Sequence, residues 1–269
     1  MGTTFVGLDL AWGERNRTGL AAIDEAGRLL EVTDRRTDDE IVAWLNRHNT
    51  GPCLVAIDAP LIVTNPAGRR PCEAQLSTVF GKYDAGAHPS NTAKPWFAGG
   101  TRGARLASRL GLDIDPTSTR ARRAIEVYPH PATVVLFELD KTIKYKHKRG
   151  RSLVDLQAAS ARLMTLIESL ETAEPPLHVI ASTGWQAIAD AVSASTRKSQ
   201  LRAVEDRIDA VLCAYIALYS ARRPADTTVF GDGETGYIVT PTLPTDHPPP
   251  ASRKSTLDST YTSANTLSP

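Results

Sequence analysis

The chain has 269 residues, 41% of them hydrophobic and 23% charged, an ordinary globular mix long enough for one large domain or two small ones. A formal net charge of +1 excludes a strong global pull toward nucleic acid or an anionic membrane surface. The three cysteines, Cys53, Cys72 and Cys213, lie far apart without CxxC spacing, which argues against a disulfide framework and against a zinc site.

Residues 3–12 read as a buried strand. TGLAAID (18–24) and RLLEVTD (28–34) read as two more, joined through Glu25-Ala26-Gly27, so an antiparallel meander is expected. Asp38 to His48 has helical spacing at Ile41, Trp44 and Leu45, with Thr37 as its N-cap. LVAIDAP (54–60) returns as a short apolar strand ended by Pro60. Buried strands joined through a helix point to an α/β sheet. Residues 61–123 are rich in Gly, Pro, Ser, Asn and Arg, a length of loop that is usually functional or disordered, with helical pieces at 72–80 and 101–110. AIEVYPH (124–130) reads as a strand and KTIKYKHKRGR (141–151) as a basic loop. Amphipathic helices are expected at 152–171, 184–195 and 200–222, then two short strands around Asp232-Gly233-Glu234. From Pro241 onward seventeen of twenty-nine residues are Pro, Ser or Thr, a composition expected to be disordered. No segment reaches the roughly 20 apolar residues of a membrane span. The N-terminal MGTTFVGLDL lacks the basic and apolar regions of a signal peptide, so a cytoplasmic location is expected.

Acids stand out against this background. Asp9 interrupts FVGLDLAW, Asp58 interrupts LVAIDAPL, Glu126 sits in AIEVYPHPA, and Asp206 and Asp209 lie in the helical stretch AVEDRIDAVLCAYIAL. A carboxylate in an apolar segment is costly without a partner. On a helical wheel Glu205, Asp206 and Asp209 share an arc with Leu212, Cys213 and Ile216, so these acids occupy one end of a core-facing stripe. Convergence on a hard divalent cation, Mg²⁺ or Mn²⁺, would account for the group. Singly, each acid also suits a plainer role: Asp58 as a turn cap before Ala59-Pro60, Glu126 as the partner of a Lys or Arg from the basic region.

Lys94 to Arg151 holds thirteen Lys/Arg against five Asp/Glu, a basic block that suits either phosphate contacts or a solvated surface. His88 and His130, in loop-like contexts, could orient water or bind phosphate.

The segments GLDLAWG, IDAPL, RRPCE, GAHPSN, FAGGTRG, EVYPHP, KYK, EDRIDAVLCAY and GDGETGYIVTP, in this order, resemble an uncharacterised family of predicted ribonuclease-H-like nucleases, domain-of-unknown-function family 429. The resemblance runs from about Gly7 to Pro241. It implies one ribonuclease-H-like domain, assigned to residues 1–243, in which the loop-rich stretch at about 61–123 would be an insertion, while composition makes 244–269 an expected disordered tail. Its α/β fold would be a mixed sheet, three antiparallel strands then parallel ones, flanked by helices. By position Asp9 matches the family's first-strand Asp and Asp58 its fourth-strand acid, where many relatives have Glu. Asp206 and Asp209 resemble the paired late-helix aspartates. RRPCE and AHPSN have no counterpart in characterised nucleases.

The expected activity is metal-dependent hydrolysis of nucleic acid. Asp9, Asp58, Asp206 and Asp209 would ligate two Mg²⁺ or Mn²⁺ ions, with Glu126 as a further ligand or water-orienting group. Arg69, Arg70, Ser90, Asn91, Arg102, Lys144 and Lys146 would bind substrate, the basic groups through phosphates. Two alternatives stay open: a Mg²⁺-dependent small-molecule phosphotransferase or nucleotide hydrolase on a related fold, and a non-catalytic nucleic-acid-binding module.

Overall fold

Alternating and fully apolar segments near the N-terminus pair as their pattern predicts. A computed structural model describes residues 2–13 and 15–250. In it β1 (Thr4–Asp9), β2 (Thr18–Ile23) and β3 (Leu29–Arg35) form an antiparallel meander. The helix α1 (Asp38–His48) starts at Thr37, whose side chain accepts from the Glu40 N–H while Glu40 accepts from the Thr37 N–H. It buries Ile41, Trp44 and Leu45 and returns the chain to β4 (Cys53–Ile57), parallel to β1. After α2 (Pro71–Phe80) and α3 (Arg102–Arg109), β5 (Arg122–Glu126) adds in parallel to β4. The five-stranded mixed sheet has the order β3-β2-β1-β4-β5. Parallel pairs need crossovers, and α1 and the 58–121 segment provide them.

The loop-rich insertion is better ordered than its composition suggests. Its α2 packs against a hairpin, β6 (Thr227–Asp232) and β7 (Gly236–Pro241). Cys72, Leu76, Phe80, Tyr83 and Ile238 form a small second core there, together with Val134. Val134 belongs to α4 (Pro129–Leu136), which corrects the strand expected over 124–130. The strand stops at Glu126, and Pro129 starts the helix, because its fixed φ and missing N–H suit a first turn. α5 (Leu153–Ser169), α6 (Thr183–Ser193) and α7 (Lys198–Arg222) lie close to the expected helices. α7 begins at Lys198, two residues before the expected start at 200. The Gln200 side chain accepts from the Arg197 N–H at 2.9 Å and closes the N-terminus there. Residues 251–269, most of the Pro/Ser/Thr tail, lie outside the described residues. Ahead of them the Tyr83 hydroxyl donates to the Pro248 carbonyl and His247 Nε2 meets the Leu139 carbonyl at 3.1 Å.

α7 is buried along most of its length and crosses β1 and β2 at backbone contact. A Cβ on Gly7 would lie 1.9 Å from the Ala210 carbonyl oxygen and 2.3 Å from the Ala214 nitrogen. One on Gly19 would lie 1.8 Å from the Asp206 carbonyl oxygen. Gly7 and Gly19 therefore set the height of α7 above the sheet. Gly7→Ala is expected to destabilise by about 3 kcal/mol, since the obstacle is helix backbone rather than a side chain that can turn away. A melting temperature lower by roughly 6–12 °C in thermal denaturation is the corresponding readout; a change of one or two degrees would contradict this packing.

Candidate metal centre and its cleft

Strand register brings two acids together. Leu8 pairs with Ile57 in the parallel ladder, and the Asp58 N–H donates to the Leu8 carbonyl at 2.8 Å, so Asp9 and Asp58 end neighbouring strands. Adjacent strands lie about 4.8 Å apart, and residues two positions along share a face. Gly7 faces α7 in this ladder, and Asp9 does the same two residues later. The helix supplies Asp209, fully buried, with Asp206 one turn earlier on the same side. Asp9, Asp58 and Asp209 each offer an oxygen, and these atoms all lie within 4.8 Å of one another.

The basic loop closes over this centre. Lys146 Nζ lies 2.5 Å from Asp209 Oδ2 and 3.8 Å from Asp9 Oδ2. The buried Tyr145 hydroxyl donates to Asp209 Oδ1, and the His147 N–H donates to Glu205 Oε1 at 3.0 Å. Asp9 Oδ2 and Asp209 Oδ2 are buried and make no hydrogen bond of good geometry; the Lys146 ammonium serves them only as an ion-pair partner.

Charge balance is incomplete. Burial pushes the Asp9 carboxyl well above its ordinary range, and Asp209, Asp58 and Asp206 push it further against the pull of Lys146. Burial, with Asp209, Glu126 and Asp206, raises Asp58 to about 7. Burial and Asp209 raise Asp206 to about 6. Burial also raises Glu205 to about 7. Burial works against the Lys146 charge, but Asp209 and Asp9 outweigh it and hold the ammonium firmly protonated. His130 is driven down to about 3 by burial and by Lys146, so its imidazole is neutral at pH 7. Among the described residues Lys146 pairs with Asp9 and Asp209, Arg202 acts on Asp206 without forming an ion pair, and two of the buried carboxylate oxygens lack hydrogen-bond donors. An all-oxygen donor set with surplus negative charge fits a hard divalent cation, Mg²⁺ or Mn²⁺.

The other candidate residues divide. Glu126 does not join the cluster. Register pairs it with Ile57, so the pleat turns it with Ile57 and not with Asp58. Its oxygens accept from Arg70 Nη1 at 2.9 Å, Arg70 Nη2 at 2.6 Å and the Leu61 N–H at 2.8 Å. The basic partner is thus Arg70 at the start of α2, and no residue of the 94–151 block. Arg70 is itself buried, also pairs with Glu73, and is not placed to hold a phosphate. Ser90 is buried and its N–H donates to Glu73, while the Asn91 side chain donates to the Gly68 carbonyl. Arg102 is a buried clamp that binds Asp38 and the carbonyls of Ala11 and Arg36. Arg69 is exposed. Lys144 pairs with Asp84 at 3.1 Å. Lys146, half-buried, sits among the carboxylates where two recesses meet.

The centre opens on two sides. A recess of about 680 Å³ leads from Asp9 and Asp206 to Arg15, Arg36 and Arg202. Another of about 420 Å³ leads from Asp9 and Asp58 past His130 to Lys144, Lys148 and Arg151. Arg15, Arg36, Arg202 and Tyr145 were not singled out in the sequence. A tyrosine between lysines reads as surface, and three scattered arginines carry no spacing signal. His88 lines the second recess and, with Tyr128, a cavity of about 90 Å³ beside Asp58.

The fold and site define a mixed α/β protein with a buried carboxylate centre where its central strands meet a buried late helix. A family model described as a protein of unknown function, DUF429, matches residues 7–234, and the chain belongs to that family. No curated protein and no solved structure matches it. Among the described residues no helix is long and apolar enough to cross a membrane.

The raised carboxyl of Asp58 makes a pH prediction. An acid raised in the folded state supports the fold fully below its unfolded pKa, near 4, and loses that contribution as pH rises through about 7. Metal-free Asp58→Asn should therefore melt several degrees above the metal-free parent at pH 8, and this gain should shrink toward zero as pH falls to 4. His130, depressed, changes stability in the opposite sense between about 6.5 and 3, but it is common to both proteins and drops out of the difference. Equal melting temperatures at pH 8 would contradict the charge balance described.

Proposed function

We propose that the protein is a divalent-metal-dependent nuclease with a ribonuclease-H-like domain. The observation that carries the reading is the meeting of Asp9, Asp58 and Asp209, from the end of β1, the end of β4 and the buried α7, with oxygens within 4.8 Å. The sheet order and the strand directions support it, since the family resemblance implies this kind of mixed sheet with acids at these places.

Asp9, Asp58 and Asp209 would hold the cation, with Asp206 available to a second. Bound Mg²⁺ would supply Lewis-acid activation of water and stabilise the leaving oxygen of an in-line displacement at phosphorus. Tyr145 orients Asp209 by donating to one of its oxygens, so the other stays directed at the centre. Lys146 lowers the cost of holding several carboxylates together, and its ammonium would be available to a phosphate oxygen of bound substrate. The Arg70–Glu126 pair acts at a distance. Glu126 fixes the Leu61 N–H and so the turn that carries Asp58. The exposed bases at the rim would track the strand on either side of the cut.

Millimolar Mg²⁺ or Mn²⁺ is expected to raise the melting temperature, about 2.7 kcal/mol of stabilisation being reached at a hundredfold excess over Kd. Asp9→Asn and Asp209→Asn should each remove most of that shift. The parent should cleave DNA or RNA strands only with the metal, and Asp9→Asn should fall to background. Cleavage of mononucleotides alone would transfer the site to small-molecule chemistry, and a melting temperature indifferent to metal would defeat the metal centre.

A second expectation concerns the rim. Arg15→Ala, Lys148→Ala and Arg202→Ala together should make the plot of log K against log salt shallower by about 2–3 units, at 0.7–0.9 per phosphate contact. All three side chains are exposed, so the melting temperature should hardly move. An unchanged slope would leave the block a solvated surface.

A further inference from the structure

We propose that Trp96, seated on Trp12, is a stacking platform for a nucleobase of a single strand entering the carboxylate cleft. This rests on the nucleic-acid reading above and adds to it the form of the substrate.

Single exposed apolar side chains are ordinary, but Trp96 is not merely stray surface. It is 51% exposed while its ring meets Trp12 edge-on at 5.8 Å between centroids. Trp12 in turn lies 5.2 Å from Phe97, which is buried. The Lys94 ammonium stands 5.4 Å from the Trp12 ring centre. Successive turns, Lys94 N–H to Asn91 carbonyl and Phe97 N–H to Lys94 carbonyl, hold the segment that presents the indole. The platform is thus anchored in the core at one end and open at the other.

The open side is a recess of about 600 Å³ bounded by Trp12, Gly13, Arg15, Asn16 and Trp96. It offers an aromatic wall with an exposed guanidinium and an exposed amide beside it. Those groups suit a base, whose face is apolar and whose edges and phosphate are polar. They suit a purely apolar partner poorly.

Trp12 also borders the recess that contains Asp9 and Asp58, so the platform and the carboxylates share a wall. Trp12 follows Asp9 by three residues, which places their Cα atoms within about 11 Å. A base on Trp96 therefore belongs to a nucleotide close in sequence to the one at the carboxylates. Bases of a duplex are already stacked on their neighbours, and only an unpaired or extruded base has a free face. The preferred ligand is a single strand, or the single-stranded arm of a larger structure.

The test compares two labelled strands of equal length, one of deoxythymidine and one of abasic sites, in Ca²⁺ at low salt. Base stacking on an aromatic side chain predicts that Trp96→Ala weakens the thymidine strand about 5- to 150-fold and leaves the abasic strand unchanged. Trp96→Phe should recover part of the loss. The melting temperature should fall by no more than a few degrees, because half of the replaced ring is exposed and its covered part touches one ring edge-on. Equal loss for both strands, or no loss for either, overturns the proposal. So does failure of the parent to bind the thymidine strand, which would leave Trp96 to a protein partner. Metal-dependent cleavage is scored separately. Base-selective binding without cleavage keeps the platform and defeats the nuclease reading. Cleavage and binding by Trp96→Ala at parental levels do the reverse.

Discussion

The contact between the backbone of α7 and the backbones of β1 and β2 governs the rest of the molecule. Helices normally lie on sheets through intervening side chains, and here Gly7 and Gly19 remove those side chains where α7 crosses. The helix therefore sits low enough for Asp209 to reach the ends of the strands that carry Asp9 and Asp58. Such an approach has a large electrostatic cost. Two like charges about 4 Å apart repel by roughly 4 kcal/mol at an effective dielectric near 20. The packing of α7 opposes that repulsion, since its buried apolar residues follow the acids along the same helix.

The loop carrying Lys144 to Arg151 answers the same charge from the other side. Ile143 and Tyr145 are buried, and the Lys146 ammonium enters between Asp209 and Asp9. One ammonium does not neutralise the group, as the raised carboxyls of Asp9, Asp58 and Asp206 register. The convergence of these acids therefore works against the stability of the fold. A cation binding only the folded form would offset this by mass action.

A second ion-pair network supports the neighbouring turn. Arg70 bridges Glu73 and Glu126, all three buried, and Glu126 also holds the Leu61 N–H. Removing one member would leave a buried charge unpaired, which is far more costly than the net worth of the pair. The insertion is in this way tied to the end of β5, and the second core of α2, α4 and the β6–β7 hairpin closes around it.

Much of this was legible in one dimension. The apolar strand runs, the cap of α1, and the arc shared by Asp206, Asp209 and Cys213 are local properties, set by the periods of helix and strand. Asp9, Asp58 and Asp209 could be singled out for the same reason, because an acid in an apolar run carries a desolvation cost visible in its neighbours. The sequence by itself thus determined the sheet, the late buried helix and the acids at their meeting point. Only the tertiary structure decided how the charges pair. Glu126 goes to Arg70, 56 residues away, Arg102 goes to Asp38, 64 away, and Lys146 goes to Asp209, 63 away. Coulomb energy depends on distance through space and on burial, and neither is written in the spacing of residues along the chain.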